Sequence, residues 1–316
     1  MQNRINNLFG IKYPIVSGGM VWCSGGRLAA AVSEAGGLGL IGAGSMTPEI
    51  LKENIRKCRS LTDKPFGVNV PLIYAEIDAI MRVIDEEEVK IVFTSAGNPK
   101  TWTKSLKNNG VTVAHVVSSS KFALKAQDAG VDAVVAEGFE AGGHNGREET
   151  TTMVLIPQVR RAIELPLIAA GGIATGEGMA AAVALGADGV QIGTRFALTE
   201  ESSAHESFKN ACLRLPEGET MLILRKLSPT RMIKNDFFKL LIEAENRGAS
   251  GDELLEIIGK GRSRKGIFEG NLSEGELEIG QACSLINEIE PVENAVKSLI
   301  DQYKAATEKL SEMRFN

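Results

Sequence analysis

Short, nearly continuous apolar runs rich in β-branched residues recur along the first two thirds of the chain. They are Pro14–Ser17, Gly37–Ile41, Phe66–Val70, Val89–Thr94, Val111–Val117, Val131–Ala136, Pro166–Ala170 and Gly189–Gly193. Strands that are apolar on both faces are what a parallel sheet buried on two sides requires. Helical stretches fill most of the gaps: Arg27–Ala35, a helix opened by the N-cap Thr47 and Pro48, then Glu76–Glu88, Ser119–Gln127, Ile156–Ile163 and Gly178–Leu185. Strand and helix in alternation predict an α/β fold, and eight such units predict a TIM (β/α)8 barrel. A doubly wound sheet is the competing architecture. Its G-x-G-x-x-G turn is missing, because the first strand-helix turn reads Ser17-Gly-Gly-Met-Val-Trp-Cys-Ser-Gly-Gly26.

After Ala197 the pattern changes. Residues 198–316 are charged and helix-rich, with no series of strands, and end in the amphipathic stretch Val292–Met313. The expected organisation is a barrel over residues 1–197 and a helix-rich C-terminal cap over 198–316, its terminal helix packing on the barrel.

Composition narrows the classes. The apolar fraction of 43% is ordinary for a globular protein. The net charge of −5 comes with no basic stripe or tail, which argues against nucleic acid as a partner. No window approaches the ~20 apolar residues of a membrane span, and Met1–Leu8 has no signal-peptide core, so the expectation is a cytoplasmic protein with no membrane partner. Cys23, Cys58, Cys212 and Cys283 are scattered, with no CxxC pair, and read as free thiols in a reducing compartment. Cys23 lies near Gly18 and Gly19, close to where a ligand would sit, but a packed thiol is the plainer reading. No spacing of His, Cys, Asp or Glu suggests a metal site, and no G-x-S-x-G elbow is present.

The stretch Glu137-Gly-Phe-Glu-Ala-Gly-Gly-His144-Asn-Gly carries the candidate chemistry. It follows strand six, opens the longest interval between strands, and holds one of only three histidines in 316 residues. Glycines allow a backbone to approach a ligand, and histidine titrates near neutral pH. A tight turn beside a surface histidine is the bland alternative. Barrels often bind phosphate with the loops after strands seven and eight. Here those loops contain Ala170, Gly171 and Gly172, and then Gly193 and Thr194, whose bare backbone N–H groups suit an anion. A cofactor anchored there would lay a flat ring across the barrel top. Asn69 and the Gly18-Gly19-Met20 turn would face that ring. Gln191, inside its strand, reads either as an inward-pointing cofactor contact or as a satisfied barrel-core amide. His115 reads as a packed core residue and His205 as a helix cap.

Taken together, Tyr13-Pro-Ile-Val-Ser-Gly-Gly-Met20, Gly142-Gly143-His144, Ala169-Ala-Gly-Gly172 and Gln191-Ile-Gly-Thr-Arg-Phe196 resemble the flavin-dependent nitronate monooxygenase and enoyl-acyl-carrier-protein reductase II superfamily. The resemblance runs from about residue 3 to the end. It implies a barrel holding non-covalent FMN, with Met20, Asn69, Glu137, Ala141, Gly142, Ala170, Gly172, Gly193 and Thr194 at FMN-contact positions and His144 as the catalytic residue. Lys64-Pro-Phe-Gly-Val-Asn-Val70, Ser228-Pro-Thr-Arg231 and Phe268-Glu-Gly-Asn-Leu-Ser-Glu-Gly275 with Gly280-Gln-Ala are more similar to the reductase branch. That branch implies NADH or NADPH as co-substrate and an enoyl thioester on acyl-carrier protein or CoA as substrate. The alternative activity is nitronate monooxygenation with O2. A flavin-free lyase or isomerase and a non-catalytic phosphate binder are the readings from other classes. Arg225-Lys226, Arg231 and Lys234, or Lys260–Lys265, are the candidate basic patch for an acidic carrier, with solvated surface as the plain reading. Nucleotide preference, acyl length and oligomeric state stay open, with a homodimer as a candidate assembly.

Overall fold

The computed structural model describes residues 3–313; Met1, Gln2 and Arg314–Asn316, at the ends of the two expected regions, lie outside the described residues. Eight parallel strands form the barrel: β1 (Ile15–Ser17), β2 (Gly39–Gly42), β3 (Phe66–Pro71), β4 (Ile91–Ser95), β5 (Thr112–Val117), β6 (Ala133–Glu137), β8 (Leu167–Ala170) and β9 (Gly189–Ile192). They pair in the order β1-β9-β8-β6-β5-β4-β3-β2. The seam closes through Leu38, whose N–H donates to Ile15 O at 2.8 Å and whose carbonyl accepts from Ser17 N at 2.9 Å. The short strand β7 (Gly143–His144) lies outside the barrel.

Alternation along each strand divides the core into two shells. Val16, Leu40, Phe93, Val135 and Ile168 fill the barrel interior, and helix α1 (Arg4–Phe9) adds Ile5 and Phe9 to that cluster, with Phe9 and Phe93 ring centroids 5.6 Å apart. Ile15, Ile41, Val68, Val92, Val134, Leu167 and Val190 face outward into the shell shared with the helices. Those helices are α2 (Gly26–Glu34), α3 (Pro48–Leu61), α4 (Ile77–Glu86), α5 (Thr103–Asn108), α6 (Ser120–Asp128), α7 (Thr152–Ala162) and α8 (Gly176–Ala184). Helix α3 begins as its sequence predicts, with Thr47 Oγ1 accepting from Ile50 N and Pro48 at the first position.

Helix α7 begins at Thr152, four residues before the expected Ile156. The polar run before Ile156 hides that start. Both Glu140 carboxylate oxygens accept from Thr152 N at 3.0 Å, so a side chain from the preceding loop caps the helix. Pro157 is carried inside it.

The absence of strands after Ala197 is corrected by the structure. Strands β10 (Thr220–Ile223) and β11 (Thr230–Ile233) form an antiparallel hairpin, and β11 pairs on its other edge with β7. Both strands are short, and β11 carries an arginine, so neither reads as a strand without its partner. Helices α9 (Thr194–Ala197) and α10 (Glu206–Leu213) precede the hairpin; α11 (Asp236–Asn246) and α12 (Gly251–Ile258) pack on it around Phe237, Phe238 and Leu241. A further apolar cluster joins Ala174 and Ala197, at the ends of the barrel, to Phe208, Ile267, Leu277 and Ile279. Among the described residues no helix is long and apolar enough to cross a membrane.

The last helix, α13 (Val292–Glu312), returns to the barrel and packs on α8 and α2. Gly176 sits at its closest approach. The Gly176 N–H donates to Gln302 Oε1 at 2.9 Å, and a Cβ there would lie 2.2 Å from Tyr303 N. Gly176→Ala is therefore expected to cost about 1–3 kcal/mol through overpacking against backbone. Urea unfolding at equilibrium measures it; a midpoint equal to the wild type would show that the crossing is not tight.

Candidate active site

A cavity of about 1150 Å3 opens at the carboxyl ends of the barrel strands. Barrel sites form at this end because the βα loops are free to vary there while the strands hold them rigidly. Every residue expected to touch a cofactor, and His144, lies on the wall of this one cavity.

Three groups make up that wall. From β1 and β3 come Gly19, Met20 and Asn69; Asn69 Nδ2 donates to Gly19 O at 3.4 Å, and a Cβ on Gly19 would run into Asn69 at 2.2 Å. From β8 and β9 come Ala170, Gly171, Gly172, Gln191, Gly193 and Thr194. Gly171 and Gly172 have φ of +92° and +71°, a backbone that side chains resist. Outward-facing Val190 and Ile192 flank Gln191, which therefore points into the barrel; its Oε1 is buried without a hydrogen-bond partner. From β6 and its loop come Glu137, Ala141, Gly142, Gly143 and His144.

The loop after β6 is held by the hairpin. Thr230 pairs with His144 and Arg231 with Gly143 across the β7–β11 ladder. Asn145 N donates to Pro229 O at 2.7 Å, and its side-chain amide donates to Ala141 O and Gly143 O. The imidazole of His144 is exposed to the cavity. His115 is buried, with Nδ1 2.7 Å from Thr94 Oγ1, and burial pulls its pKa down to about 4, so it is neutral. His205 caps α10, its Nδ1 accepting from Ser207 N.

Two acidic residues absent from the sequence reading stand beside His144. Glu276 and Glu278 alternate along an extended segment that continues the β11 edge, with Met232 opposite Glu278. Glu278 packs on Gly143, where a Cβ would meet its Oε2 at 2.6 Å. Burial raises the pKa of both carboxyls; the charge of Glu278 raises Glu276 further, and His144 partly offsets this. The same segment brings Gly280 N to donate to Thr194 Oγ1 at 3.2 Å. The alternation Glu276-Leu-Glu-Ile279 is the strand signal that marks it in the sequence. Cys23 also lines the cavity, its thiol pushed up to about 12 by burial and so unreactive.

The residues that form the candidate basic patch are for the most part engaged within the chain. Arg231 is 2% exposed and donates from Nε and Nη2 to Phe139 O at 3.1 and 2.8 Å. Arg225 pairs with Glu149, Lys234 with Glu219, Arg264 with Glu269 and Lys265 with Glu274. Lys226 donates to Ala249 O and Arg262 to Glu274 O. These charges serve the fold of the cap.

A family model described as nitronate monooxygenase matches residues 2–80 and 74–302. The chain belongs to the nitronate monooxygenase family. It is an oxidoreductase. It is similar to FabK from Thermotoga maritima, with 42% identity over 98% of this chain and 99% of that one and a TM-score of 0.94. It is also similar to nitroalkane oxidase from Streptomyces ansochromogenes, with 28% identity over 97% and 99% of the two chains and a TM-score of 0.85. Among curated relatives, (3aS,4S,5R,7aS)-5-hydroxy-7a-methyl-1-oxo-octahydro-1H-indene-4-carboxyl-CoA dehydrogenase from Rhodococcus jostii is 31% identical over 95% of each chain.

Glu137 gives a pH test. Burial pushes its carboxyl up to about 7 from an ordinary 4.5. The folded form then keeps a proton that the unfolded chain has released. Its contribution to stability is complete below about pH 4.5 and is lost as pH rises to about 7. Glu137→Gln removes that loss. The difference in Tm, variant minus wild type, should be larger at about pH 8 than at about pH 5; an equal difference at both would show that the carboxyl is not shifted.

Proposed function

We propose that this protein is an FMN-dependent enoyl-thioester reductase of type II fatty-acid synthesis. It would draw on NADH or NADPH and reduce an enoyl group carried by acyl-carrier protein or CoA. The observation that carries the reading is the whole-chain likeness to FabK, an enoyl-acyl-carrier-protein reductase II, which exceeds in identity the likeness to nitroalkane oxidase. A curated relative named for a carboxyl-CoA substrate adds support for a thioester.

The cavity fits FMN on its own chemistry. An orphaned acceptor, Gln191 Oε1, lies in the barrel floor and calls for a ligand N–H, such as that of a flavin ring. Met20, Asn69, Glu137, Ala141, Gly142 and Gly143 would hold the ring. The bare backbones of Gly172, Gly193 and Thr194 would hold the phosphate, beside the starts of α8 and α9. Bound there, FMN would supply the two-electron transfer between nicotinamide and thioester.

His144 then has one of two tasks: to give a proton to the α-carbon of the enoyl thioester, or to hold the thioester carbonyl as enolate charge develops. The β7–β11 ladder fixes the direction its imidazole faces. Glu276 and Glu278, shifted toward their neutral forms by burial, do not oppose that developing negative charge. The segment carrying them also shields one wall from water.

Nitronate monooxygenation is the second reading, favoured by the description of the family. There His144 would remove the α-proton of a nitroalkane or bind the nitronate. Anaerobic spectroscopy separates the two. Flavin absorption that bleaches with NADH or NADPH and returns with crotonyl-CoA supports the reductase. Recovery only with O2 and a nitronate supports the monooxygenase, and no flavin uptake from added FMN refutes both. In FMN-loaded protein, His144→Ala should lower enoyl turnover about 10²-fold or more, the scale of a positioned acid. Turnover near the wild-type rate would remove His144 from the mechanism.

A further inference from the structure

The cavity does not end at His144. Its wall continues through Asn145 and Gly146 to Ser118, against which Gly146 packs so closely that a Cβ would lie 2.2 Å from Ser118 Cβ. Beyond Ser118 it passes over the ends of β4 and β5 into a lobe between the Pro99–Thr101 turn and helix α6. Two features of this lobe stand apart from the rest of the surface. Large apolar side chains are left open at it: Ile73 is 72% exposed and Phe122 39%. Lys100 and Lys125 also line it, and among the described residues neither ammonium is paired with a carboxylate. Lys125 lies 5.4 Å over the Phe122 ring. Glu148, which does not line the cavity, accepts from Ser118 Oγ at 2.8 Å.

A lobe that sets exposed apolar side chains beside unpaired ammonium groups matches a long, weakly polar arm that carries phosphate. We propose that this lobe binds the phosphate-bearing arm of the thioester substrate, with Lys100 and Lys125 as the phosphate partners. The assignment rests on the reductase reading above. The acyl group would lie beside His144, the amide-linked arm would run past Ser118 and Phe122, and the phosphate would reach the two lysines at the rim. Coenzyme A and the prosthetic arm of a carrier protein share this chemistry. Lys100 lies in the short turn that follows β4 and Lys125 on helix α6, which follows β5, at the end of the barrel where ligand contacts gather. Exposed ammonium groups bind phosphate as point charges, so the effect is screened by salt.

The test compares crotonyl-CoA, crotonyl acyl-carrier protein and crotonyl-N-acetylcysteamine, the last without phosphate, on wild type and on a Lys100→Gln, Lys125→Gln double variant, both loaded with FMN. In the variant the ratio of kcat/KM for crotonyl-CoA to that for the phosphate-free thioester should fall about tenfold, through KM, as two charge-assisted contacts are lost. A parallel fall with the carrier-protein substrate extends the site to that source; a fall with CoA alone confines it to CoA. Salt should erase the wild-type preference for crotonyl-CoA. An unchanged ratio overturns the proposal, as does a loss confined to flavin reduction by the nucleotide, whose phosphates would then own the lysines. Should no enoyl thioester be reduced at all, the reductase reading fails separately. Calorimetric titration with coenzyme A then still decides the lobe: weaker binding in the double variant upholds it, and equal affinity overturns it.

Discussion

The ladder between β7 and β11 is the contact on which the site depends. The loop after β6 is rich in glycine and would otherwise lose a large conformational entropy to hold one shape. Pairing of Gly143 and His144 with Arg231 and Thr230 fixes its backbone at the point where the imidazole leaves it. The buried guanidinium of Arg231 ties the same hairpin to Phe139 O at the root of the loop. Removing that side chain would leave a buried carbonyl without its donors, a cost on the order of 1–3 kcal/mol. The hairpin in turn aligns the segment bearing Glu276 and Glu278. Barrel, histidine and acidic wall are thus oriented by one short piece of sheet.

The barrel was legible because its strands are buried on both faces. Ile15, Val68, Val134 and Leu167 face helices while Val16, Leu40, Val135 and Ile168 face the interior, and the sequence carries both as unbroken apolar runs. The clustering of the candidate site residues was legible for a related reason. Glycines at the ends of β8 and β9 are local requirements of backbone shape, and local requirements leave local marks. All of these residues come together on one wall.

What stayed hidden is set by distant partners. Strand β11 reads as Thr230-Arg-Met-Ile, four residues with a charge among them, and is a strand only because β10 and β7 flank it. Arg231 looks like surface charge until Phe139 O is placed beside it. The basic run at residues 262–265 looks like a docking patch until Glu269 and Glu274 fold back onto it. The unpaired lysines lie instead on short helices beside the cavity, where the sequence shows no run of charge. Counting like charges along a chain finds clusters in sequence, whereas a partner meets the charges that remain after internal pairing.

Helix α13 has a consequence for how the protein is made. The loop between β8 and α8 is steadied by contacts from Gln302 and Tyr303 to Gly176. The barrel strands leave the ribosome well before that helix. A nascent chain can pair β8 with β9 and close the barrel, but the start of α8 gains its final support only after the cap has been synthesised and α13 has emerged. Final ordering of the loop after β8 is therefore tied to completion of the chain's last turns, which sets a temporal order between closing the barrel and finishing its candidate site.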